Sequence, residues 1–409
     1  MQFPVKIGFI IGVTVSTLAL GLAGAGLAST WNQTSLLSTS QETLPLVPAA
    51  NEANEMSLEE YAAAYALAPT ADSAAPYAHA LMTQEQWSDA EKVLDSVEEN
   101  QKLLYEKALF DVMQNHLEEA KKAFKAAGSE NFLLTYENFE AAQGAETIYL
   151  QALLCKTLID SKEFELAAIL AKTVLTQKND YRDVWMLLGY AKYTLENYKD
   201  AEDAFRQAKK IDSTKPEVHY FLGSTLMKTN KVEEAIDELE LALLYGFEPA
   251  EEAYKKVAES YEFLEQWTDA VGAYEALLNL NPSSPNSFQK PIELCLKQLK
   301  DTVRALSLAQ KAIVFFPGEA LSHTLLAKVY LADAKIDLAS QSIEAAFQMN
   351  SNLPLAHYLA GEIREAQNNV EGARWEFKKT FELTEENDPL HAAAAEKYNL
   401  LTAPLNSSR

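Results

Sequence analysis

Side chains that ligate metals, transfer protons or attack carbonyls are sparse in this 409-residue sequence, which holds six histidines and two cysteines. His219, His323 and His357 fall at one place in a repeat described below, and a shared metal would require them to lie within bonding reach of one another. Trp185 and Tyr254 hold that place in sister units, so the three histidines read as packing side chains. Cys155 and Cys295 are too widely separated for a CxxC redox motif and stand four repeats apart, which reads both as free thiols. The sequence has no phosphate-binding glycine loop, dinucleotide fingerprint, HExxH helix or GxSxG elbow. No catalytic residue, metal ligand or cofactor is therefore assigned, and the chain reads as a non-enzyme.

The elements that position these residues come from a composition that is 48% apolar and 23% charged, with only 14 Gly and 14 Pro, which is that of a folded chain. The formal charge of −24 repels phosphate backbones, since nucleic-acid binders need clustered Lys and Arg, so nucleic acid is not an expected partner. A solvated acidic surface accounts for the charge without any acid-specific role.

Organisation shows in one alanine per unit. Ala167, Ala201, Ala235, Ala270, Ala305, Ala339 and Ala373 follow one another at 34 or 35 residues, and Ala90 and Ala120 extend the series upstream at spacings of 30 and 47. A large side chain usually stands three residues before the alanine, as in Trp87, Phe164, Tyr198 and Trp267, and another four residues after it, as in Phe124, Phe205, Leu239, Tyr274, Ile343 and Phe377. The i, i+4 spacing puts the later group on the alanine's own helical face. Twelve residues before each alanine stands a small residue (Ala78, Ala108, Cys155, Gly189, Gly223, Ala258, Ala327 or Gly361), except before Ala305, where Glu293 intrudes. Two helices cross closely only where both lack bulk, so each unit reads as an antiparallel helix hairpin.

On these residues the chain resembles the tetratricopeptide repeat family, whose Trp, Leu-Gly, Tyr, Ala, Phe, Pro pattern recurs every 34 residues or so. The best unit, Arg182 to Lys215, carries Trp185, Leu188, Gly189, Tyr198, Ala201, Phe205 and Ala208, with Lys192 where the family's tyrosine is expected. Tyr254, Tyr261, Ala270, Tyr274 and Pro282 supply the remaining pattern in a later unit. The resemblance implies an all-α fold, a right-handed α-solenoid of antiparallel helix pairs, that binds protein or peptide partners along a concave groove. Its groove positions fall on Tyr190, Tyr193, Tyr220, Met227, Lys255, Glu259, Glu262, Phe263, Lys290, Lys297, Lys328, Tyr358, Glu362 and Glu365. Such a groove is mixed in charge and rich in tyrosine, suited to peptide or helix recognition, although each aromatic could equally pack against the next repeat. The carboxylate clamp of chaperone-cochaperone relatives is absent, because Lys255 is followed by Glu259 and Lys290 by Leu294.

Ahead of the repeats, residues 1–6 lead into an uncharged stretch, Ile7 to Ala28, of 22 residues. At about 1.5 Å per residue a helix of that length crosses a hydrocarbon core. A signal peptide cleaved near Ala23-Gly24-Ala25 or Gly26-Leu27-Ala28 fits as well, while the unbroken apolar run favours an N-terminal hydrophobic helix kept as a membrane anchor. Lys6 precedes the stretch and Glu42, Glu52 and Glu55 follow it, which places the repeats outside the cytoplasm in either case. Residues 29–70 read as a flexible linker, 71–147 as two irregular units and an insertion over about 128–147, 148–387 as seven regular units, and 388–409 as a capping helix and tail. The expected function is a membrane-tethered or exported scaffold, in an envelope assembly or secretion complex, or else a non-catalytic accessory subunit of an envelope enzyme.

Overall fold

Helices alternate with short turns from Leu58 to Thr402 in the computed structural model, which describes residues 56–142 and 145–402 and contains no strand among them. The stretch Ile7 to Ala28 and most of the expected linker lie outside the described residues. Among the described residues no helix is long and apolar enough to cross a membrane. The linker's last residues are helical: α1 (Leu58–Leu67) begins at a capping box in which the Glu60 N–H donates to the Ser57 hydroxyl while Glu60 accepts from the Ser57 N–H.

Nine hairpins follow among the described residues. The two irregular ones are α2 (Ala71–Thr83) with α3 (Trp87–Leu94) and α4 (Gln101–Met113) with α5 (Leu117–Ala127). The region read as an insertion is a helix of the stack, α6 (Glu130–Ala141): Phe132 stacks on Phe124 at 4.1 Å, and the Thr135 and Thr157 hydroxyls meet at 2.6 Å. Seven hairpins then run from α7 (Thr147–Asp160) with α8 (Phe164–Gln177) through α9 (Arg182–Thr194) with α10 (Tyr198–Ile211) and α11 (Pro216–Lys228) with α12 (Val232–Leu244). The remainder are α13 (Ala250–Phe263) with α14 (Trp267–Leu280), α15 (Gln289–Leu294) with α16 (Thr302–Phe315), α17 (Ala320–Ala332) with α18 (Ile336–Met349) and α19 (Pro354–Ala366) with α20 (Val370–Glu382). Helix α21 (Pro389–Thr402) closes the array on α20, and the Asp388 carboxylate at its start accepts from the Leu390 N–H at 2.8 Å.

All nine marker alanines are at most 1% exposed, so they sit at the helix crossings. At the partner position a methyl added to Gly189 would lie 2.5 Å from the Phe205 ring, one on Gly361 2.6 Å from the Phe377 ring, and one on Gly223 2.8 Å from Leu239 Cγ. Glycine there is a packing requirement. Between the two helices of every hairpin the backbone turns through one residue with positive φ, always five before the marker alanine: Glu85, Asn115, Lys162, Glu196, Asn230, Glu265, Lys300, Ala334 and Asn368. The next N–H returns to a carbonyl five residues back, as from Asn197 to Lys192 at 2.9 Å, the pattern of a Schellman cap built without glycine.

The exceptional unit is the one with Glu293 at the small position. Its first helix is broken into a 3₁₀ turn (Pro285–Phe288), α15, and a π-helical turn (Cys295–Leu299), and its closing bond runs six residues, from Asp301 N–H to Cys295 O at 2.9 Å. The extra residue buries Cys295 in one core cluster with Ala305 and leaves Glu293 facing the groove side.

The second helices carry a charged ladder. Arg206 bridges Glu202 in its own helix and Glu234 in the next at 2.7 Å, and Lys231 returns to Glu202 at 2.7 Å.

Candidate functional site

The first helix of each hairpin presents the candidate groove residues, and neighbours decide which of them a partner can reach. Tyr190 and Tyr220 are 1% and 0% exposed, which corrects their placement as ligand contacts. Tyr190 meets Phe221 edge-on at 5.7 Å, and Tyr220 lies flat on Phe247 at 4.1 Å, so both rings fill the seam between successive hairpins. Tyr193 and Met227 are half-buried, and Tyr193 also packs edge-on against Tyr198 at 5.4 Å. Lys255 and Glu259 are exposed, as is Phe263, 64% accessible at the end of α13. The exposed Lys290 ion-pairs with Glu262 at 2.7 Å.

The remaining candidates converge. Lys297, Lys328, Tyr358, Glu362 and Glu365 line one cavity of about 1180 Å³ at the C-terminal end of the array. Its bed is apolar, formed by Leu296, Leu331, Leu355 and Leu359, and α21 supplies a wall with Pro389, Leu390, Ala393 and Lys397. Two of its cations are neutralised within the chain: Lys297 pairs with Glu293, and Lys397 with Glu365 at 2.9 Å. Lys328 and Glu362 differ, since among the described residues neither makes a hydrogen bond or a close ion pair. Burial holds the Glu362 carboxyl above the usual carboxylate range, Glu365 pushes the same way, and Lys397 and Lys328 pull against it. Burial likewise raises the Tyr358 hydroxyl.

Sequence reasoning missed Glu293 and the α21 residues as groove wall. Asp388-Pro389 marks where α21 begins, but nothing in the residues states which of its faces turns toward the groove.

Two of the three histidines at the shared repeat position, His219 and His357, are structural ties. His219 Nδ1 meets Glu238 at 2.7 Å and its Nε2 donates to the Ser213 carbonyl at 2.8 Å; His357 does the same with Glu376 at 2.7 Å and Ser351 O at 2.9 Å. Trp185 makes the equivalent bond from Nε1 to the carbonyl six residues back, Asn179 O, at 2.8 Å. That side chain therefore fastens the first helix to the turn before it, which is why His and Trp exchange there.

A second cavity of about 880 Å³ lies at the N-terminal end, among α1, α2, α4 and the turn into α8. Inside it His79 Nδ1 meets Glu106 at 2.9 Å, His79 Nε2 meets Glu163 at 3.4 Å, and the Tyr105 hydroxyl donates to Glu163 at 3.1 Å. Burial disfavours the charged imidazole, but Glu106 and Glu163 outweigh it and raise His79 to about 9. Burial in turn raises the Glu163 carboxyl against the pull of His79.

Together, stacked hairpins, small-residue crossings and a one-sided groove define an α-solenoid. The family model for the tetratricopeptide repeat matches residues 183–215 and 216–245, and a second tetratricopeptide repeat model matches residues 324–379. The chain thus contains tetratricopeptide repeats at these residues, and it is a protein-interaction scaffold.

Among solved structures it is similar to the C-terminal part of a TPR repeat-containing protein from Cytophaga hutchinsonii, at 16% identity over 60% of this chain and 98% of that one, with a TM-score of 0.47. It is also similar to YrrB, described as a TPR protein with an unusual peptide-binding site, at 20% identity over 48% of this chain and 99% of that one, TM-score 0.35. A third is a tetratricopeptide repeat protein from Parabacteroides merdae, at 16% identity over 63% and 99%, TM-score 0.36. No curated protein matches the chain.

Proposed function

We propose that the chain is an adaptor held outside the cytoplasm, which captures a segment of another protein at the C-terminal end of its groove. The observation that carries the groove reading is the cavity of about 1180 Å³ that gathers Lys297, Lys328, Tyr358 and Glu362 over an apolar bed. The location rests on the uncharged stretch Ile7 to Ala28 with Lys6 before it and only acids in the 27 residues after it. Either a retained anchor or a cleaved leader delivers the repeats to an envelope assembly or secretion complex. Its acidity makes protein, and not nucleic acid, the partner.

A photoreactive side chain at Tyr358, which lines the cavity, tests the groove against one at the exposed Lys199 on α10. The expected result is a discrete crosslinked partner from Tyr358 alone. Equal labelling from both positions contradicts groove binding. Protease added to intact cells should digest the repeats; repeats left intact would contradict the location.

A further inference from the structure

Lys328 and Glu362 occupy the same place in consecutive first helices, nine residues into the units that begin at Ala320 and Pro354, and both line the C-terminal cavity. Every other lysine of that cavity is already neutralised: Lys297 by Glu293 and Lys397 by Glu365. One cation and one anion are thus left facing the cavity without a hydrogen bond or close ion pair among the described residues, separated by one helix-to-helix step. An unpaired half-buried charge is costly, and a partner group of opposite sign relieves that cost on binding.

We infer that the cavity, whose lining runs from α15 across α17 and α19 to α21, selects a segment of another protein bearing one acidic and one basic side chain about 10 Å apart, the acid against Lys328 and the base against Glu362. Apolar residues between the two charges lie on Leu331 and Leu359. This inference rests on the groove reading above and adds the charge pattern of the partner. The protein's strong overall acidity would by itself favour basic segments, so selection of an acid in the same segment is the distinguishing mark.

The test is selection of a random nonapeptide library, with blocked termini, on the purified full chain in detergent solution. Five variants are compared with the unaltered chain: Lys328→Glu, Glu362→Lys, the two together, and the controls Lys199→Glu and Glu233→Lys at exposed positions of α10 and α12. Circular dichroism confirms that each is folded. The unaltered chain, both controls and the double swap should select one acid and one base two to four residues apart. Lys328→Glu should select two bases and Glu362→Lys two acids, and a peptide chosen on the unaltered chain should bind either single swap about tenfold more weakly. Selected charges that are the same on all six proteins, or that shift equally with the controls, overturn the inference and leave the groove reading standing. Failure of every folded protein to enrich any peptide overturns both.

Discussion

Gly189 and Gly361 sit where a methyl group would enter a phenylalanine ring, at 2.5 Å and 2.6 Å. Gly189→Ala should therefore cost about 2 kcal/mol in urea unfolding, the usual range for overpacking a core. Adding Phe205→Leu should recover part of the loss, because the unit with Ala327 at this place carries the smaller Ile343 opposite. No recovery would mean that the glycine is needed for its backbone and not for space. His79 provides a pH-dependent term. Its folded value, about 9, lies above the ordinary 6.5, so its stabilisation is complete below about pH 6.5 and is lost as pH rises through 9. Hydrogen exchange in α2 and α4 should accelerate between pH 7 and 10 beyond the intrinsic rate, by an opening energy of about 2 kcal/mol, and His79→Gln should abolish the excess. The periodic alanines and their small partners were legible in the sequence because steric exclusion at a crossing leaves few residue choices. Accessibility was not: Tyr220 and Tyr358 share a repeat position, yet Phe247, in the loop before α13, covers Tyr220 while Tyr358 stays half open beside the cavity.

At the scale of the element, the hairpin turns show what a sequence pattern hides. Nine left-handed residues recur five before each marker alanine, but they are Glu, Asn, Lys and Ala, with no glycine to announce them. The surrounding helices impose the conformation, so local residue preference does not report it. Ala334 has no polar side chain to compensate its φ of 55°, and Ala334→Gly should stabilise the protein by about 0.5–1 kcal/mol, read as a higher urea midpoint. Destabilisation would show that the turn's methyl group packs. The same scale explains Glu293: the fixed period predicts a small residue there, and the π-helical turn adds one residue that the period does not count. The helix α6 escaped sequence reading for a related reason, since it stacks as a single helix between hairpins and repeats nothing.

Across the whole molecule, each hairpin contacts chiefly its neighbours, and stability in such an array is carried by adjacent interfaces. Truncation after Asn387 removes α21 and with it one wall of the C-terminal cavity. The exchange of residues 354–382 should then accelerate and peptide binding should fall, while exchange in residues 71–177 stays unchanged. Acceleration throughout the chain would instead show a single cooperative unit. The groove itself is the claim on which the function depends. Hydrogen exchange of the full chain, with and without a bound partner segment, tests it most directly. Protection concentrated in residues 289–299, 320–332, 354–366 and 389–402 is the predicted result. Protection confined to the second helices α16, α18 and α20 would contradict it.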